Sequence, residues 1–397
     1  MGKKGDFMAG IIDLNQIVRD GQLFAEHGYE AHIKAYIPTQ WVSNHASNLI
    51  ELKNGDLLCC WFAGLSEGSA DIKIALSRLD AGTNRWAEPQ LVSDDYTCSE
   101  QNPSLFETPS GELWLLYTAQ LSRGTMRVEE WYEKVRRGEE KGHFSMQETA
   151  QIRRRISRDG GRTWGEAEVL FDKPGSFCRH PILPLSNGEW IFPMWYSLGE
   201  EDANKPQYGR DYSAVQISSD QGATWHEYPV PGSVRRVHMS IVETAPGRLV
   251  AFFRSRSADR IYKSLSLDYG RTWTQPRATC LPNNNASIQA KKLASGRIAL
   301  VFNHYSAGDD PTAVCWPGRR SPVTIALTED EGETFPYMRS IETGENFLAE
   351  GQQRLNRQYH YPSILQSRDG NLHISYTHHG RDCIFYHRIA EAWITGE

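Results

Sequence analysis

Ser157–Trp164 reads SRDGGRTW, and the phrase returns as SSDQGATW at Ser218–Trp225, SLDYGRTW at Ser266–Trp273 and TEDEGETF at Thr328–Phe335. A looser copy with one extra residue, SRLDAGTNRW, occupies Ser77–Trp86. Each fits Ser/Thr-x-Asp-x-Gly-x-x-aromatic. Such an internal repeat fixes architecture before any single residue fixes chemistry. The physics of the phrase is local. The Asp accepts backbone N–H bonds in a tight turn, the Gly takes a positive φ, and the aromatic ring packs beneath.

A second repeat runs between the copies of the first. An apolar strand enters a turn ending in Gly, and a second apolar strand leaves it. The tips are Gly55, Gly111, Gly188, Gly247, Gly296 and Gly370, in stretches such as NLIELKNGDLLCCW and SLFETPSGELWLLY. Each reads as a β-hairpin. Six hairpins, mostly followed by a third strand and an Asp-bearing turn, predict an all-β chain, a six-bladed β-propeller of four-stranded sheets. The last hairpin is followed by DCIFYHRI (382–389) without a further Asp-turn. An early strand near His32–Ile37 is therefore expected to complete the sixth blade, making 1–397 a single domain. Longer gaps near 120–150 and 304–320 predict loops over one face. Residues 125–141 read as a charged, solvated helix.

Composition narrows the partners. No apolar run is long enough to span a membrane, and no signal-peptide core follows MGKKGDFMAG, so the reading is no membrane and a cytoplasmic chain. A net charge of −6 without a basic block argues against nucleic acid. Seven cysteines without a CxxC pair read as free thiols in a reducing compartment. No metal-binding spacing such as HExxH occurs, and no cofactor is implied.

In a propeller the inner strands begin, and the second strands end, on the face opposite the Asp-turns. The repeated phrase is thus scaffold, and the site belongs to the other face. The starts of the inner strands are polar: His45, Gln101-Asn102, Arg179-His180, His238, Asn284-Asn285 and His360-Tyr361. The second strands end at Trp61, Tyr117, Trp195, Arg254 and Arg256, His304 and His378-His379. A funnel lined by histidine and arginine suits a hydroxylated ligand.

With these residues in place the chain resembles the sialidase superfamily, whose Asp-box repeats have this form. The resemblance implies a glycoside-cleaving enzyme that holds an anionic sugar with arginines. Arg254 in GRLVAFFRSR and Arg320 in RSPVTI match two of the three sialidase arginines. Tyr361 in YPSIL matches the tyrosine nucleophile, and Glu67 in LSEGSADIKIALSR falls near the acid/base position. Two positions depart. His45 in SNHASNL stands where the first arginine is expected, and His238 in VHMSIVE replaces the glutamate that assists the tyrosine. Those departures are similar to propellers that cleave rhamnose–glucuronate linkages or ulvan, some of them lyases.

The resulting expectation is a carbohydrate-active enzyme, sialidase-like and exo-acting, that cleaves an oligosaccharide at or beside an anionic sugar. The catalytic candidates are His45, Glu67, His238 and Tyr361. The substrate-binding candidates are Arg179, His180, Arg254, Arg320, Gln101, Asn102, Asn284, His360 and Trp61. The alternatives are a lyase using His and Tyr as acid and base, and a non-catalytic propeller that binds glycan or protein. The oligomeric state is not readable from the sequence.

Overall fold

The Gly-tipped hairpins form the two inner strands of each blade in the computed structural model, which describes residues 11–26, 29–199 and 208–396. The six tip glycines share one backbone state, with φ between 75° (Gly247) and 92° (Gly55), a region open to glycine at no steric cost. Blade one comprises Ser43–Glu51, Leu57–Gly64, Lys73–Leu79 and Gln90–Leu91. Blade two comprises Cys98–Glu107, Leu113–Leu121, Gln151–Ser157 and Glu168–Phe171. In blade three the inner strand is broken into Ser176–Cys178 and Leu183–Pro184, both paired with Trp190–Tyr196. Blades four and five run from Arg236 to Pro282 and from Gln289 to Glu342. In blade six Tyr29–Ile37 pairs antiparallel with Cys383–Ile389, so the N-terminal part of the chain supplies the fourth strand and closes the ring. Phe24–Glu26 adds a fifth strand outside it.

The Asp-turns tie neighbouring blades together. In blade three Asp220 accepts from the Thr224 N–H at 2.8 Å and from its hydroxyl at 2.6 Å, while Ser218 accepts from the Gly222 N–H at 2.7 Å. The bonds from Thr224 pull the Asp220 carboxyl down to about 2. The turns around Asp159, Asp268 and Asp330 repeat the pattern. A Cβ on Gly222, Gly270 or Gly332 would lie within 2.6 Å of Trp114, Ile191 or Phe252 on the preceding blade. Glycine is therefore required twice over, for its φ and for that close seat. The loose copy at Ser77–Trp86 turns without these Asp bonds; its Asp80 accepts from Thr83 through the backbone carbonyl instead.

Within a strand, successive side chains face opposite sheet surfaces, and in this fold both surfaces meet a neighbouring blade. Leu58, Cys60 and Phe62 pack with Leu113, Leu115 and Tyr117 of blade two, whereas Cys59, Trp61 and Ala63 pack with Ile384 and Tyr386 of blade six. Trp61 is thus a core residue. Its indole N–H donates to Asn44 at 2.9 Å, and it does not reach the substrate face as its place at a strand end suggested. The insertion after blade two's second strand holds the helix Val128–Arg136, shorter than the stretch read from charge. It is not simply solvated: Trp131 is buried, and Arg127, Val128, Glu129 and Tyr132 line a cleft. All seven cysteines are free. No helix among the described residues is long and apolar enough to cross a membrane.

Candidate functional site

Five of the six inner strands start with a residue in the left-handed region: Ala46, Asn102, His238, Asn285 and Tyr361, with φ between 50° and 59°. At four of them the pairing register slips, between His45 and Asn48, Gln101 and Ser104, Val237 and Ser240, and His360 and Ser363. These are β-bulges, which bend a strand and re-aim its side chains. Here they turn consecutive residues from the blade interfaces toward the axis. A tyrosine or histidine held at φ near +50° costs about 1–3 kcal/mol and clusters at functional sites.

Tyr361 is the centre of the arrangement. Arg254 donates from Nη1 to its phenol oxygen at 2.5 Å. The guanidinium carbons of Arg254, Arg320 and Arg179 lie 5.3, 5.6 and 5.8 Å from the ring centroid. Burial works to raise the phenol, but Arg254 and Arg320 outweigh it and hold Tyr361 below the ordinary tyrosine value. None of these three arginines has a carboxylate partner among the described residues. Other central charges are paired: Arg256 with Asp211 at 2.6 Å, and Arg381 with Glu67. Burial brings Arg179 and Arg254 down to about 10, which leaves both charged at neutral pH.

Arg254 also donates from Nε to Asn285 at 2.9 Å and lies 3.1 Å from His238 Nε2. His238 is fixed on its other side by Ser287 at 3.0 Å and stacks on Trp195 with ring centroids 4.2 Å apart. His45 stands 4.2 Å from Tyr361, centroid to centroid, and its Nδ1 meets the Thr377 hydroxyl at 2.9 Å. Burial first, then Arg254 for His238 and Arg381 for His45, push both imidazoles well below the usual histidine value. Both are neutral near pH 7 and serve as hydrogen-bond partners. Partial burial raises the Glu67 carboxyl, but its ion pair with Arg381 prevails and keeps it below its ordinary value.

Two connected spaces meet at Tyr361. A small inner chamber of about 40 Å³ is lined by Gln101, Asn102, Trp195, His238, Arg254 and Arg256, among others. An open outer cleft of about 510 Å³ is bounded by His45, Arg320 and Arg381, by the blade-two insertion and by Arg354 and Leu355. Glu67, Tyr208, Trp316 and Tyr361 border both.

The structure therefore brings His45, Glu67, His238, Arg254, Arg320, Gln101, Asn102 and Tyr361 to one site. Four further candidates take other places. Arg179 lines neither space; it is buried beneath Tyr361 and donates to the carbonyls of Ser47 at 2.9 Å and Tyr361 at 3.2 Å. It props the strained tyrosine from below and does not face a substrate. His180 is buried against the backbone of His238 and Ile288. Asn284 donates to the Arg319 carbonyl at 3.0 Å, and its neighbour Asn285, at φ of 57°, makes the contact with Arg254. His360 lies behind His45, 5.4 Å away ring to ring, and meets Gln358 at 2.9 Å. Arg381, Asp211, Tyr208 and Trp316 were not among the sequence candidates. Tyr208 and Trp316 sit in long loops without periodicity. Arg381 has φ of 85° directly after Gly380, and nothing in the residue type itself signals that state.

Residues 55–374 match the family described as the BNR repeat-like domain. Among solved structures the Hadza microbial sialidase Hz136 superposes with a TM-score of 0.67 at 18% identity, covering 89% of this chain and 67% of that one. A protein of unknown function from Dyadobacter fermentans gives 0.66 at 17% identity over 89% and 97% of the two chains. The NanB sialidase from Streptococcus pneumoniae gives 0.64 at 14% identity over 95% and 71%. A search of curated proteins found no match. At these identities the structural likeness establishes the fold alone. The family match over most of the chain, with the Asp-turns and the six blades, places this protein in the BNR repeat-like family, with the propeller fold of the sialidases it superposes on.

Proposed function

We propose that this protein cleaves a glycosidic bond at or beside an anionic sugar, with Tyr361 as the attacking group. One observation carries the reading: three arginines without carboxylate partners surround a single phenol. A buried surplus of positive charge is costly unless an anion meets it. A phenolate supplies one negative charge and a sugar carboxylate a second. Arg254 and Arg320 are placed to hold that carboxylate, and they also hold the Tyr361 phenol below its ordinary value, which activates it as a nucleophile. In hydrolysis the phenol proton of Tyr361 passes to the Glu67 carboxylate, Tyr361 attacks the anomeric carbon, and Glu67 hands that proton to the leaving oxygen. Water then releases the sugar, with Glu67 accepting its proton. Cleavage of simple α-sialosides is expected to be poor, because neutral His45 replaces a charge-assisted arginine contact.

A specific observation favours elimination as the second reading. Glu67 is paired with Arg381, and His45 and His238 are neutral, so the site is richer in proton acceptors than in acids. A lyase uses such a set directly. The phenolate removes the proton α to a uronate carboxylate, the carbanion charge falls on the arginines, and the phenol returns the proton to the leaving oxygen.

The test is digestion of a panel of uronate and sialyl oligosaccharides. New reducing ends without ultraviolet absorbance at the unsaturated-uronate band indicate hydrolysis, and new ends with that absorbance indicate elimination. Binding without any product from the whole panel sinks the enzymatic reading in favour of a glycan-binding propeller.

A further inference from the structure

We propose that the outer cleft is a second-sugar subsite for an anionic residue on the leaving-group side, held by Arg127 and Arg354. The inference rests on the reading above and narrows its substrate class to an oligosaccharide acidic on both sides of the cleaved bond.

The first ground is position. The inner chamber of about 40 Å³ holds only a few water volumes, enough for the carboxylate and hydroxyls of one ring. The outer cleft of about 510 Å³ lies within the range of sites that enclose whole ligands. Tyr361 and Glu67 stand at their common border, so a bond broken there leaves its departing sugar in the outer cleft.

The second ground is construction. The far walls come from segments that the blade repeat does not need. Arg127, Val128, Glu129 and Tyr132 belong to the blade-two insertion, and Arg354 and Leu355 precede the inner strand of blade six. The insertion is anchored rather than loose: Trp131 is buried, its indole N–H donates to the Gly142 carbonyl at 3.1 Å, and Arg123 covers its ring at 4.3 Å.

The third ground is charge. The charged residues lining the cleft are Arg127, Arg320, Arg354 and Arg381 against Glu67 and Glu129. Arg381 is taken by Glu67 and Arg320 faces the phenol. Among the described residues no carboxylate forms an ion pair with Arg127 or Arg354. Glu129 opposes them but leaves the rim net positive. Arginine offers a planar fork that matches carboxylate and sulfate oxygens, so either group on the second sugar would satisfy it.

The experiment measures binding to the Tyr361→Phe protein, which blocks turnover, by calorimetry. The probes are a glucuronyl–glucuronate disaccharide, the same disaccharide with a sulfated second sugar, and one with a neutral second sugar. The first two are expected to bind about tenfold more tightly than the third at low salt, the scale of two partly exposed ion pairs. The advantage should shrink with added salt. In the Tyr361→Phe/Arg127→Ser/Arg354→Ser protein the ratio should fall to about one. A gain for only one of the two acidic probes identifies the group as carboxylate or sulfate and still supports the subsite. Equal binding of acidic and neutral disaccharides, or an advantage that survives the arginine substitutions, overturns the subsite alone. Failure of all three probes to bind overturns the anionic-sugar reading and the subsite with it.

Discussion

Tyr361 combines three features that seldom meet in one residue: a strained backbone, a carbonyl held by a buried arginine, and a phenol against a second arginine. Tyr361→Phe removes only an oxygen. It is expected to lower turnover by at least about a thousandfold while the unfolding temperature stays near that of the wild type, checked by progress curves and calorimetry. Arg254→Met removes the strongest influence holding the phenol down. The sign follows directly: losing a positive neighbour disfavours the phenolate, so the phenol titrates at higher pH. Ultraviolet difference titration against Tyr361→Phe reads this without substrate; a midpoint that stays or falls would count against the electrostatic account. At this scale the sequence was partly legible. Polar positions at strand starts disclosed His45, His238 and Tyr361, because a propeller topology sends every inner strand to the axis. They misled at Arg179, Asn284 and Trp61, since a one-residue change of aim at a bulge or strand end moves a side chain from funnel to core.

The Asp-turn is the element that makes the ring rigid. Its carboxylate collects a backbone N–H and a hydroxyl, and its glycine sits against the preceding blade, so one short phrase sets both a turn and an interface. Asp268→Ala strips these bonds from the blade-four turn and is expected to cost about 1–2 kcal/mol, read as a lower midpoint in urea. Gly270→Ala should cost more, because it adds strain at φ of 90° and a clash with Ile191. Elements of this kind are easy to read because composition, spacing and φ all demand the same residues. The bulges were hidden for the opposite reason. Ala46, Asn102, His238, Asn285 and Tyr361 occupy a region where glycine would be the signal, and tertiary contacts, not local preference, hold them there.

The closure of the whole molecule depends on blade six. There a buried pair of hydrogen bonds joins His32 Nε2 to His387 Nδ1 at 2.8 Å and the Tyr376 hydroxyl to His387 Nε2 at 3.0 Å, while the Glu26 carboxylate lies 2.5 Å from His32 Nδ1. It holds with both rings neutral: His387 donates to His32, and Tyr376 donates to His387. Burial, with Lys34 and Arg339 nearby, outweighs Glu26 and pushes His32 down to about 4; burial and Lys34 push His387 well below its ordinary value. The unfolded chain titrates near 6.5 and so binds protons first as pH falls. The stability from this pair is whole above about pH 6.5 and drains away toward pH 4, by about 3 kcal/mol for His32 alone. Unfolding temperatures measured across that window should drop steeply, and less steeply for His387→Asn. A flat profile would contradict the neutral pair.

That same closure imposes an order on biosynthesis. His32 and His387 are separated by 355 positions, so one strand of the pair is made long before the other. Until Cys383–Ile389 leaves the ribosome, Tyr29–Ile37 offers an unsatisfied edge, and five finished blades form an open arc that any other β-edge can join. The nascent protein is therefore most exposed to wrong pairing between the end of its fifth blade and the arrival of Cys383–Ile389, and a holdase that covers residues 29–37 would protect it until the ring shuts.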